Sequence, residues 1–145
     1  VQQDSAIATV AHAIQLSVAP VFLLSGIGAM LAVMTNRLSR IIDRARLLEG
    51  WLADKKGDED AIHAELTALF RRAKFISRSI TLCTVTALLV CAVIAILFLG
   101  TFLRFNASLA VAWLFIAGMV AFFFGLSSFL REILLATKHL RIGPH

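Results

Sequence analysis

Three stretches without a charged residue, 13–34, 80–102 and 107–130, constrain this chain more than any other feature. Each is long enough to cross a hydrocarbon core as a helix, which takes roughly 20 residues. A lipid-embedded segment must pair its backbone groups within itself, so helix is the form expected of all three. One small water-soluble core fails on composition. Of the 145 residues, 59% are apolar and 16% charged, against about 45–50% and about 25% in a soluble domain. The expected fold is all-α: an integral membrane protein with three transmembrane helices, built as a single membrane domain over 1–145. The first stretch reads as a lasting span and not a signal peptide, because residues 1–12 hold Asp4 and no Lys or Arg.

Basic residues set the expected orientation. Arg37, Arg40, Arg44, Arg46, Lys55, Lys56, Arg71, Arg72, Lys74 and Arg78 lie between the first two stretches, and Arg131, Lys138 and Arg141 follow the third. Only Arg104 falls on the opposite side. Lys and Arg are retained in the cytoplasm during insertion, so the N-terminus is expected outside, with 36–79 and the C-terminal tail inside. This asymmetry accounts for much of the net charge of +5 without nucleic acid, since no basic patch interleaved with aromatics is present to stack bases.

Within 36–79, Leu38, Ile41, Ala45, Leu48 and Leu52 step by three and four, and so do Ile62, Leu66, Leu69, Ala73, Ile76 and Ile80. Both are helical seams. The polar run from Asp54 to Asp60, with Gly57 inside it, reads as the loop between them. Helices one and two are thus expected to extend into a cytoplasmic antiparallel coiled hairpin. Arg37, Arg40 and Arg44 share the face opposite the seam, just past the first span. They serve as a solvated positive-inside face, a specific anionic-lipid site, or a basic ring at the inner mouth of an oligomeric pore. Asp43 and Glu49 lie within reach of Arg46 or of neighbouring chains.

The short turn around Leu103-Arg104-Phe105-Asn106 makes the second and third spans antiparallel neighbours. Phe98, Phe102, Phe105 and Trp113 around it fit an interfacial aromatic belt, and Asn106 or Ser108 is expected to cap the third helix rather than carry a glycan.

Span one is the polar one, with Gln15, Ser17, Pro20, Ser25, Gly26, Gly28, Thr35 and Asn36. Polar side chains in lipid favour a protein or water neighbour, and small residues permit close helix approach. Both point to helix packing or to a pore lining. Pro20 is expected to free the carbonyl four residues earlier and can kink the span; Asp4 or Ser5 is the expected cap of a short leading segment. Three helices cannot enclose a water path alone, so transport requires a homo-oligomer, in which Asp4 forms an outer-mouth ring. No carboxylate lies in the spans to mark a coupled pump.

Enzymatic chemistry finds little footing. His12, His63, His139 and His145 have no zinc-type spacing, and Cys83 and Cys91 are expected to be buried free thiols, eight residues apart on one helix. Gly26-Ile27-Gly28 follows no strand and makes no phosphate loop. No cofactor or metal is expected.

The run Ala13-Ile-Gln-Leu-Ser-Val-Ala-Pro-Val-Phe-Leu-Leu-Ser-Gly-Ile-Gly-Ala29, followed by Thr35-Asn-Arg-Leu-Ser-Arg-Ile-Ile-Asp-Arg-Ala-Arg46, resembles a bacterial family of small three-helix integral membrane proteins catalogued only as a domain of unknown function. The resemblance is most specific at Pro20, Gly26, Gly28, Asn36, Arg37, Arg40, Asp43 and Arg44. It implies a bacterial inner-membrane protein with this helix order and supplies no activity. Two functions are therefore expected from the residues: a homo-oligomeric channel or pore lined by the first helix, permeant ion undetermined, or a membrane scaffold or regulatory subunit whose basic hairpin binds anionic lipid or a cytoplasmic partner.

Overall fold

The computed structural model describes the backbone of residues 2–103 and 106–141, and side chains over 3–103 and 106–137. Arg104 and Phe105, assigned above to the outer turn, lie outside the described residues, as do the side chains of Lys138, His139 and Arg141 and the whole of His145. Three helices follow in order: α1 (Gln2–Ala53), α2 (Glu59–Leu103) and α3 (Ser108–Arg141). All three are long and apolar enough to cross a membrane, and between 11% and 22% of each apolar window is buried. Phe22, Leu88, Leu109 and Trp113 are each about two-thirds exposed or more. Water penalises such a surface by about 25 cal/mol per Å²; acyl chains do not.

α1 runs unbroken through Pro20. It begins at Gln2, so Asp4 stands in its first turn and Ser5 inside the helix, where Ser5 O accepts from Thr9 Oγ1. Neither residue is therefore the cap expected from the sequence. Ala13, Ile27, Met34, Ile41 and Leu48 are buried, and Pro20 with them, one every seventh residue. Along α2 the same interval picks out Ile62, Leu69, Ile76, Cys83 and Val90. A seven-residue interval nearly matches two helical turns, so it holds an apolar line on one helix face. The seams read from the sequence are these buried faces.

The helices contribute to two compact units. The first comprises Val1–Met30 with Leu82–Phe123. In it, Thr86 Oγ1 lies 2.9 Å from Leu82 O and 3.2 Å from Gly118 O, sharing one hydroxyl proton between its own helix and α3. A Cβ on Gly118 would sit 3.6 Å from Leu89 Cβ, ordinary contact, so α3 packs against α2 here with room for a small side chain. Asn106 Oδ1 accepts from the Ser108 backbone N–H and its hydroxyl, the cap expected for α3. Cys83 is buried, but Cys91 is exposed because it faces away from the buried line of α2.

The second unit comprises Leu31–Thr81 with Phe124–His145. Its connection is residues 54–58, shorter than the polar run, because Glu59 and Asp60 already form the first turn of α2. Lys56 N–H donates to Trp51 O and Lys55 N–H to Leu52 O, with Lys55 in the left-handed region at φ 55°. This is a Schellman end with lysine where glycine is the usual occupant. Asp58 caps α2: its Oδ1 accepts from Asp60 N–H and its carbonyl from Ile62 N–H. Asp58→Ala should therefore cost about 1 kcal/mol. Lys55→Gly should add roughly 0.5 kcal/mol, the left-handed strain relieved less the entropy of glycine. Denaturation of the detergent-purified chain, followed by circular dichroism, reads both; equal signs for the two variants would contradict this turn.

Candidate functional site

At the second unit's centre is a carboxylate that composition alone does not flag. Glu132, the one acidic residue of α3, is fully buried. It lies seven residues beyond Gly125 and fourteen beyond Gly118, both buried, so the helix period carries it onto the packed face of α3. Two arginines from different helices meet it. Arg37 of α1 donates from Nε to Oε2 at 3.0 Å and from Nη2 to Oε1 at 3.1 Å, a fork on a carboxylate. Arg72 of α2 donates from Nε to Oε1 at 3.1 Å, with Nη2 also 3.1 Å from that oxygen. The Arg37 guanidinium further stands 5.7 Å from the Phe129 ring centroid, within cation–π range.

In front of this triad is an open groove of about 240 Å³ lined by Arg37, Arg40, Ile41, Arg44, Leu69 and Arg72. Arg44 donates from Nε to Glu65 at 3.0 Å and lies 5.4 Å from the Trp51 ring. Arg40 is exposed and makes no ion pair among the described residues. Four guanidinium groups thus meet two carboxylates, Glu65 and Glu132, and the groove carries a net charge near +2. Arg37, Arg40 and Arg44 do come together, as their spacing predicts. They do not, however, turn away from the seam: Ile41 and Leu69, both buried seam residues, form the groove floor. Arg37 and Arg44 stand four residues before and three after Ile41, so they share its side of α1. Asp43 and Glu49 form no ion pair with Arg46 among the described residues.

The residues expected to line a pore divide in two. Ser17 and Pro20 are buried within the chain, whereas Gln15, Ser25, Gly26, Gly28, Thr35 and Asn36 are exposed, as is Asp4. Ser17 and Ser25 return their hydroxyls to Ala13 O and Val21 O. A Cβ on Gly26 or Gly28 would meet nothing within 4 Å, so neither glycine serves close packing inside one chain. Among the described residues no group of three His, Cys, Asp or Glu could hold a metal ion.

The position of Glu132 and Arg72 along the chain does not reveal their pairing; the helix face does. Placing Glu132 on the line of Gly118 and Gly125 would have found it.

The fold and site define an all-α chain with three helices able to cross a membrane and an arginine groove backed by a buried glutamate. The family described as "Protein of unknown function (DUF2721)" matches residues 17–142, and the chain belongs to it. The match includes the groove and Glu132 and leaves out Asp4 and Gln15. No curated protein and no solved structure matches the chain.

The triad generates a stability prediction. Removing one member of a buried ion pair costs about 3–5 kcal/mol; with Arg37 one-third exposed, the lower end applies. Glu132→Gln should lower stability by about 3 kcal/mol, and the effect should be far from additive with Arg72→Gln in a double-mutant cycle. Additive losses would mean that the two side chains do not act together.

Proposed function

We propose that this chain is a multi-pass protein of a bacterial inner membrane that binds anionic lipid headgroups as a scaffold or regulatory subunit. The N-terminus lies outside; the antiparallel coiled pair formed by α1 and α2 over 36–79, and the end of α3, lie in the cytoplasm. The groove of Arg37, Arg40, Arg44 and Arg72 carries this reading. Residues 5–36 hold no charge, so Arg37 is the first cation that α1 offers past its apolar segment, at headgroup level. Anionic headgroups on the cytoplasmic leaflet attract such residues by about 1 kcal/mol each. The apolar floor of Ile41 and Leu69 suits a lipid more than a hydrated ion.

Arg40 and Arg44 provide the test, since replacing Arg37 would also strip Glu132 of a partner. In nanodiscs of zwitterionic lipid doped with phosphatidylglycerol, native mass spectrometry should show anionic lipid retained by the wild type. Retention should fall by roughly tenfold or more in the Arg40→Gln, Arg44→Gln double variant, at about fivefold per arginine. Retention unchanged by both substitutions would end this reading.

A second reading, a homo-oligomeric channel lined by α1, is favoured by one observation. Ser25, Ala29, Ala32 and Asn36, spaced by four, three and four, are all exposed on a face separate from the buried line of Ile27 and Met34. In lipid, the Asn36 amide favours a protein or water neighbour, which copies of α1 around an axis would supply. Liposomes carrying the purified chain should then pass ions, and Ser25→Trp or Asn36→Trp should cut the flux severalfold. Silence across ions and voltages from a particle of monomeric mass would exclude the channel.

A further inference from the structure

We infer that the arginine groove selects a phosphate monoester dianion over a singly charged phosphodiester. This rests on the headgroup-binding reading above and narrows it. Three observations lead to it.

The first is charge. Arg37, Arg40, Arg44 and Arg72 line the groove, and Glu132 and Glu65 are the acids bonded to them. The remaining net charge near +2 is left uncompensated by one phosphodiester. A phosphate monoester carries about −1.5 to −2 at neutral pH.

The second is donor geometry. Arg37 and Arg72 both commit Nε and Nη2 to Glu132. Their Nη1 groups make no hydrogen bond among the described residues. Glu132 is therefore a positioning residue: buried behind the groove, it fixes two guanidinium planes that line it, each with one amino group uncommitted. Arg40 adds a whole guanidinium without a counter-charge. A monoester presents three terminal oxygens to such donors and a diester two. Charge-assisted bonds of this kind are about twice as strong as neutral ones.

The third is size. The groove is small, about 240 Å³, with the buried side chains of Ile41 and Leu69 as its floor. A phosphoryl group fits among the arginines while the rest of the ligand extends outward. Two sources share this chemistry: a membrane lipid whose headgroup is a bare phosphate monoester, and a soluble phosphorylated small molecule.

Trp51 supplies the readout, since its ring lies 5.4 Å from the Arg44 guanidinium. The second tryptophan, Trp113, is replaced by Phe to leave one reporter. The full chain is placed in phosphatidylcholine nanodiscs alone, with phosphatidic acid, or with phosphatidylglycerol at matched total charge; a fourth arm adds glycerol 3-phosphate to phosphatidylcholine discs. The Trp51 emission change and the lipid retained in native mass spectrometry are both recorded.

Phosphatidic acid should be retained about tenfold better than phosphatidylglycerol. Arg40→Gln should abolish that preference. Arg40→Lys should restore little of it, because an ammonium lacks the planar fork. Arg40 makes no ion pair within the chain, so both variants should keep the wild-type fold. Glu132→Gln should weaken the preference while the groove becomes more positive, a result that a charge-only site would not give. Saturation by glycerol 3-phosphate assigns the soluble source; phosphatidic acid preference without it assigns the membrane source; either supports the site. Equal retention of both anionic lipids, lost in Arg40→Gln, overturns the monoester inference and leaves headgroup binding standing. No retention of either above phosphatidylcholine overturns both.

Discussion

A carboxylate with no access to solvent must be charged with partners or neutral, and Glu132 has two guanidinium partners. Desolvating an ion costs several kcal/mol, which is recovered only when the geometry is good and the remaining lone pairs are used. Here both oxygens are engaged, Oε1 by two arginines and Oε2 by one. Since Arg37, Arg72 and Glu132 come from three different helices, this one cluster ties α1, α2 and α3 together within the second unit. Phe129, one turn before Glu132, adds a cation–π contact to the Arg37 guanidinium beside the pair.

Elsewhere the helices are held by less directional contacts. Buried positions recur every seventh residue on α1 and α2, and they are mostly medium-sized apolar side chains. In the first unit the polar groups that are buried return their hydrogen bonds to their own helix, as Ser17 does to Ala13 O. Thr86 also reaches another helix, at Gly118 O. Such packing depends on fit, because lipid competes for apolar contact as water does not. The second unit adds charge to this scheme, at the point where the helices leave their uncharged stretches.

Much of this was legible in the sequence. The three uncharged stretches, the two seams of 36–79 and the Asn106 cap follow from period and composition, and each corresponds to an element of the structure. The signal is strong because a helix repeats its face every three to four residues. Tertiary choices were less legible. Sequence spacing places Arg37, Arg40 and Arg44 on one face, but that face adjoins the seam at Ile41 instead of opposing it. Gly57 takes a positive φ of 84°, but so does Lys55 at 55°, because the Schellman bonds to Trp51 and Leu52 fix the end of α1 two residues before the glycine. Glu132 is the plainest miss: one acid beside Arg131 reads as surface charge until its face is compared with Gly118 and Gly125.

The triad also bears on why four arginines gather so closely. A buried ion cluster is weak evidence for stability, since well-packed apolar residues of similar volume often do as well or better. Stability alone would therefore not favour two arginines on one glutamate. Orientation would: a guanidinium held by its Nε and Nη2 edge cannot swing, and the amino group left over has a fixed direction. Arg40 and Arg44 have no buried carboxylate to hold them and remain exposed. The groove thus combines two donors backed by Glu132 with Arg44, held by Glu65, and Arg40, which makes no ion pair among the described residues. For the anion binding proposed above, that arrangement offers long-range attraction first and then donors already in place.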